Sequence, residues 1–213
     1  MADLAVANGK SGTVSVLLGN GHGGFQPAVN YTVKGFPDSV VVGDFNQVGK
    51  PDLAVSNLAS SSVFVLLGNG NGTFQNPVEY PAGSGARGLA VGDFNGDGKP
   101  DLAVADNYSN AIAVLEGNGD GSFQPPITFA VGNAPTAVAV GDFNGDGKLD
   151  LAYAGYTVTV VLGNGDGTFQ PPISFATGGE LRWLALGDFN LDGKPDLAVA
   201  TQEPSVAVLI NKH

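Results

Sequence analysis

The sequence has no cysteine, which removes disulfides, thiolate metal sites and thiol catalysis together. Basic residues are scarce: 9 Lys and Arg stand against 20 Asp and Glu, a net charge of −11. Nucleic acids and anionic membrane surfaces favour partners of the opposite sign, so neither fits as a partner. No apolar run approaches the ~18–20 residues that a membrane-spanning helix needs. No positively charged start leads into an apolar stretch, so the sequence shows no secretion signal. The histidines number two, His22 in a turn and His213 at the terminus, and no Ser/His/Asp set can be assembled around them. Polysaccharide-lyase chemistry would need a base beside an Arg or a cation, and only Arg87 and Arg182 are available. These absences argue against an enzyme. What is abundant is turn chemistry, with 33 Gly and 13 Pro, alongside 43% hydrophobic residues. That mixture, with few helix formers in runs, predicts an all-β chain of many short strands with enough apolar content to bury a core.

Self-similarity organises everything else. Gly-Asp-Phe-Asn begins at Gly43, Gly92, Gly141 and Gly187, with spacings of 49, 49 and 46. Phe-Gln recurs at Phe25, Phe74, Phe123 and Phe169 with the same spacings. Asp-Leu-Ala starts five times, at Asp3, Asp52, Asp101, Asp150 and Asp196. The units are about 3–51, 52–100, 101–149, 150–195 and a partial 196–213, all within a single domain over 1–213. Asp3 falls inside a repeat, so the Met-Ala before it reads as an engineered or clipped beginning. Each unit predicts four strands, as in Val40–Phe45, Asp52–Ser56, Ser62–Gly68 and Pro77–Tyr80. Runs that are apolar at nearly every position suit strands covered on both faces. Four strands per 40–50 residues predict a β-propeller of antiparallel blades. Eight of the twelve phenylalanines fall at two repeat positions, and large buried aromatics at fixed places read as plugs between blades.

Between the first and second strands lies Asp-x-Asn-x-Asp-Gly-x-x-Asp. The complete copies are Asp93, Asn95, Asp97, Asp101; Asp142, Asn144, Asp146, Asp150; and Asp188, Asn190, Asp192, Asp196. Oxygen donors at positions 1, 3 and 5 with a glycine turn at 6 curl a chain around a hard cation. The carbonyl at position 7 (Lys99, Lys148, Lys194) adds a neutral ligand, and the Asp at position 9 closes the cage. Carboxylate and amide oxygens select calcium over zinc or copper. Of the 20 acidic residues, 12 fall in these frames when the incomplete ones at Asp44, Asp52 and Asp3 are counted, and such crowding is repulsive without a cation among them. Three calcium loops are expected, with a fourth, weak site at Asp44, Asn46 and Asp52, where Val48 takes position 5. This is no EF-hand, since position 12 is Val104, Tyr153 or Val199 in place of a bidentate Glu. The second turn, with Asp120 or Asp166, reads as a hairpin turn.

The strings GDFNGDGKPDLAVA and VxVLLGNGDGTFQPP resemble the FG-GAP or VCBS repeat, the unit of propellers like those of integrin α-chains. The resemblance spans essentially the whole chain. It implies calcium loops on one face of a propeller and ligand recognition on the opposite face or its rim, in extracellular or cell-surface adhesion and lectin-like proteins. Val48 and the small number of repeats depart from the family pattern.

The strand count is 18, short of a complete five-blade ring by the first strand of the first unit and the last strand of the last. Five blades closing alone is the preferred arrangement; completion by another chain, as a homo-oligomer, and four blades with an overhang stay open. The repeats differ most on the end away from the acidic loops. There Arg87, Tyr108, Tyr156, Arg182 and Trp183 could clamp a sugar or an acidic peptide group. Against that stands simple repeat drift, with Trp183 settled partly in the core, which residue statistics favour. The functional expectation is a calcium-stabilised extracellular scaffold that binds a glycan or protein ligand, or a purely structural module of a larger surface protein.

Overall fold

The computed structural model describes residues 2–177, 179–202 and 205–212; His213 lies outside them. Every regular element among these residues is a β-strand, and no helix is long and apolar enough to cross a membrane. Sheet I is β1 (Leu4–Asn8), β2 (Thr13–Leu17) and β3 (Val29–Thr32). Sheet II is β4 (Pro37–Gly43), β5 (Asp52–Asn57), β6 (Ser62–Leu66) and β7 (Val78–Pro81). Sheet III is β8 (Ala86–Gly92), β9 (Asp101–Asp106), β10 (Ala111–Leu115) and β11 (Ile127–Ala130). Sheet IV is β12 (Ala137–Gly141), β13 (Asp150–Ala154), β14 (Val158–Val161) and β15 (Ile173–Phe175). Sheet V is β16 (Leu181–Gly187), β17 (Asp196–Thr201) and β18 (Val206–Leu209). Each is an antiparallel meander in chain order, so the fold is a β-propeller arrangement of five blades. Among the described residues, sheet I has no first strand and sheet V no fourth, in line with the strand count.

Four apolar clusters hold the blades together, one at each junction from I/II to IV/V. Sheets II to IV are therefore covered on both faces, and β5, β6, β9, β10, β13 and β14 are buried at every residue. Alanine recurs at the second-strand positions Ala54, Ala103, Ala105, Ala152 and Ala154, all fully buried, because two sheets close on it from both sides. The innermost strands β4, β8, β12 and β16 pack successively on one another.

No comparable cluster joins sheet V back to sheet I among the described residues. Leu4 and Val6 on sheet I, and Leu186, Val206 and Val208 on sheet V, are exposed. Among the described residues the five blades thus form an open arc rather than a closed ring. Four blades with an overhang is not the arrangement, since Leu4–Thr32 builds its own sheet at the far end from sheet V.

The phenylalanine plugs follow the same logic. Phe123 packs edge-on against Phe45 and Tyr80 of the preceding sheet, with centroids 5.5 Å away in both cases. Phe169 does so against Phe94 and Phe129, and Phe74 against Tyr31. Two of the eight are not plugs: Phe25 and Phe189 are 44% and 50% exposed, because among the described residues no further sheet packs against them. A second difference concerns strand ends. The first strand was expected to run on through Asp44–Phe45, but it stops at Gly43. The Phe45 amide turns away from the ladder to donate to the Asp52 carboxylate at 2.9 Å.

Candidate functional site

The acidic loops all lie at one end of the arc, between first and second strands. In the loop of sheet III, the two oxygens of Asp93 accept the backbone N–H groups of Gly96 and Gly98, each at 2.8 Å. Asn95 Oδ1 accepts from Asp97 N–H at 3.0 Å. The loop of sheet IV repeats this with Asp142, Gly145, Gly147 and the Asn144–Asp146 pair. The loop of sheet V repeats it with Asp188, Gly193 and the Asn190–Asp192 pair. Gly98 and its equivalents Gly147 and Gly193 stand at φ of +82°, +81° and +84°, a conformation costly for any side chain. The loop of sheet II keeps the curl although Val48 replaces the acid: Asp44 accepts from Val48 and Gly49 at 3.0 and 2.8 Å. Gln47 Nε2 donates to Gly98 O at 2.7 Å, which links the loops of sheets II and III.

The Asp at position 9 is placed differently from the rest. Asp52, Asp101, Asp150 and Asp196 are almost completely buried. One oxygen of Asp101 accepts Phe94 N–H at 3.0 Å and the other accepts Gly117 N–H at 2.8 Å. Asp52 and Asp150 make the same pair of bonds, to Phe45 and Gly68 and to Phe143 and Gly163. Asp196 binds Phe189 and Asn211, and Asp3 keeps the bond to Gly19. Each carboxylate thereby pins the loop start and the end of the third strand to the start of the second. Sequence reading assigned these residues to metal alone and missed this tie. The signal was present: Asp-Leu-Ala persists at Asp52, where Val48 breaks the donor set of the preceding loop. Burial pushes the Asp101 carboxyl up to about 6, and the nearby charges of Asp97 and Asp93 add to that rise against the bonds from Gly117 and Phe94. Asp150 is raised for the same reasons, burial first, with Asp146 and Asp142 contributing.

The donor set in each full loop is hard oxygen, which suits a divalent cation such as calcium. Among the described residues, however, no three acidic or histidine side chains already converge into a cage. Asp97 Oδ2 lies 3.0 Å from Lys99 Nζ. Asp146 and Asp192 each accept the amide of the Asn two residues before, at 3.1 and 3.0 Å. These side chains are exposed. In the second turn, Asp120 and Asp166 each cap a following hydroxyl and amide, Ser122 and Thr168.

At the opposite end, Arg87 is half-buried and its Nε lies 3.5 Å from Asp38 Oδ2 on sheet II. It ties two sheets together, with 27% of its side chain exposed. Tyr108 and Tyr156 are 64% and 62% exposed in their loops, and neither stacks on another ring among the described residues. Arg182 is exposed and 3.6 Å from Glu180. Trp183 keeps 54% of its surface exposed. Its counterpart on sheet III is Gly88, where a Cβ would meet Ala137 Cα of the next sheet at 2.6 Å. The bulky indole is accommodated on sheet V because no sheet packs beyond it.

Solved structures similar to this chain agree with the architecture. A Lactobacillus plantarum protein solved by structural genomics superposes with a TM-score of 0.72 at 20% identity, over 98% of this chain and 67% of that one. The structure of BBS1N in complex with ARL6DN gives 0.66 at 13% identity, over 99% of this chain and 62% of that one. This chain therefore spans about two thirds of their length. No curated protein matches the sequence. The model of the FG-GAP-like repeat matches three times, at residues 44–104, 93–153 and 151–199, well over half of the chain. The chain belongs to the FG-GAP-like repeat family.

Proposed function

We propose that the chain is a calcium-stabilised, non-enzymatic binding scaffold that works outside the cell. The observation that carries this is the threefold loop Asp-x-Asn-x-Asp-Gly-x-x-Asp. Its first carboxylate is held open by backbone N–H groups, and its last is buried beside two more acids. Asp93, Asn95, Asp97, the Lys99 carbonyl and Asp101 would hold one ion; the equivalent sets at Asp142–Asp150 and Asp188–Asp196 would hold two more. A bound cation supplies the charge that offsets the crowded carboxylates and draws Asp97 from Lys99. With an Asn among the donors and no bidentate Glu, affinity suits the millimolar calcium of extracellular fluid. The end opposite these loops offers Tyr108, Tyr156, Arg182 and Trp183, an aromatic and guanidinium set suited to a sugar or a protein ligand.

Native mass spectrometry and thermal melts in calcium and in EDTA test the metal reading. Three bound ions are expected, and at a hundredfold excess over Kd each adds about 2.7 kcal/mol. EDTA should lower the melting temperature, and Asp146→Ala should remove one ion and lower it less. An identical melt in EDTA rejects calcium as the stabilising ion. Glycan-array binding that Trp183→Ala abolishes would support a lectin-like rim; a rim that binds no glycan or matrix protein would leave a structural module.

A further inference from the structure

Position 4 of each acidic loop takes a left-handed backbone. Sheets III and IV meet that need with glycine, Gly96 at φ +74° and Gly145 at φ +75°. Sheet II places Gln47 there at φ +55°, and sheet V places Leu191 at φ +62°, where a side chain is strained. Such strain points to a use when the side chain makes a contact that glycine could not. Leu191 is 88% exposed and points to none. Gln47 is different, because its Nε2 reaches the acidic loop of the next sheet and donates to Gly98 O at 2.7 Å. The hairpin turn of sheet III lies against the same side chain: a Cβ at Gly119 would meet Gln47 Oε1 at 3.0 Å.

Gly98 is position 6 of the loop. The peptide joining Gly98 to Lys99 is therefore held on both sides, its carbonyl by Gln47 and its N–H by Asp97 Oδ1 at 2.9 Å. The loops of sheets IV and V keep the N–H half, with Lys148 on Asp146 and Lys194 on Asp192. They have no counterpart of the other half, since the preceding loop offers Gly96 or Gly145 at position 4 and has no side chain to extend. A backbone bond at this end is common to both inner junctions: Gly121 N–H donates to Phe45 O and Gly167 N–H to Phe94 O, each at 2.9 Å. The glutamine amide is the addition peculiar to sheets II and III.

We propose that Gln47 is a positioning residue for calcium, which holds the loop of sheet III in its curl ahead of the ion and makes it the tightest of the three sites. The inference rests on the calcium reading above. Ordering a turn is a cost of binding, and a peptide fixed beforehand no longer contributes to it. The fixed peptide leads directly into the Lys99 carbonyl, the neutral ligand of that site. Sheet II, whose own loop has Val48 in place of an acid, thereby serves its neighbour. The Lys99–Asp97 ion pair opposes calcium in the same loop. Both its side chains are more than a third exposed, however, and such a pair is worth little.

The test is a calcium titration of the intact protein followed by amide chemical shifts, with Gly98, Gly147 and Gly193 reporting the three loops separately. Gly98 should reach half-saturation at a calcium concentration about three- to tenfold below the other two, the worth of one hydrogen bond. Gln47→Gly relieves the backbone and removes the amide. Gln47→Asn tolerates the conformation but falls a methylene short of Gly98 O. Both should raise the Gly98 midpoint by that factor and leave those of Gly147 and Gly193 in place. Both should also shift the Lys99 amide in EDTA, because the tie precedes the metal. A residue that merely braces the fold would lower the melting temperature in EDTA and leave all three midpoints unchanged, which overturns the proposal. A Gly98 midpoint level with or above the other two in the unaltered protein overturns it as well. If Gly147 and Gly193 respond to calcium while the Gln47 variants change nothing at Gly98, this inference alone falls. If none of the three glycines responds, the calcium reading falls and takes this one with it.

Discussion

The buried carboxylates at the start of each second strand carry more of the fold than their number suggests. Asp52 sits in the loop that lacks a full donor set, yet its two oxygens still satisfy Phe45 and Gly68 N–H at 2.9 and 2.7 Å. Removing them strands two buried donors, so Asp52→Ala should cost about 3 kcal/mol whether or not calcium is present. Urea unfolding in EDTA reads this, and a loss that disappears in EDTA would mean the residue acts only through metal. Asp106, at the other end of β9, is the converse case. Its matched residue on sheet II, Asn57, donates to Val33 O and Lys34 O and accepts Phe36 N–H. Asp106 has no amide to donate, and its Oδ1 is buried without a hydrogen bond. Burial raises its carboxyl above the ordinary value of 3.8, opposed by the Ser109 hydroxyl and the Ser84 amide. The folded state therefore holds this proton more tightly than the unfolded chain. The penalty is absent below pH 3.8 and grows as pH rises through the raised value. Asp106→Asn should stabilise the protein by about 1 kcal/mol at pH 7 and by little near pH 4. A variant that is less stable at pH 7 would show that the carboxylate has a use.

At the scale of the loop and the sheet, one donor position, Val48, separates the fourth acidic loop from the three full ones. The Asp44 loop already has the curl, with Val48 and Gly49 N–H on the carboxylate, so Val48→Asp should add one bound calcium by native mass spectrometry. An unchanged ion count would mean that the curl and the donor spacing are insufficient. Between sheets the limiting quantity is space. Gly88→Ala would set a Cβ 2.6 Å from Ala137 Cα, and about 2 kcal/mol of lost stability is the expected cost of prising two backbones apart. The repeat, the strands of each unit and the curl of the acidic loops were legible because each recurs in the sequence at fixed spacing. What recurs could not reveal was the environment of the copies at the ends. Phe25 and Phe189 read as plugs like their six counterparts, yet they face solvent. Trp183 occupies a position where the inner sheets tolerate only small residues, a rule visible only once the sheets are packed. The structural tie made by the position-9 Asp was hidden for a different reason: a metal ligand and a backbone acceptor call for the same residue type.

The molecule as a whole is a row of five sheets joined by four apolar junctions. In such a quasi-one-dimensional array, stability is approximately a sum over units and the junctions on either side of them. Sheets II, III and IV each have two junctions; sheets I and V each have one and leave their outer faces to water. Local opening should follow that count. Amide hydrogen exchange should be slowest in β5, β9 and β13, every residue of which is buried. It should be faster in β1 and in β18, where exposed and part-covered residues alternate. The single tryptophan reports on the same end: at 54% exposure, Trp183 should emit at long wavelength and be quenched by acrylamide. Protection in β1 and β18 equal to that of β9, together with a blue-shifted and unquenched Trp183, would overturn this gradient. It would mean that in solution the two outer faces are covered, and the arc would then have to be completed by sheets from outside these residues.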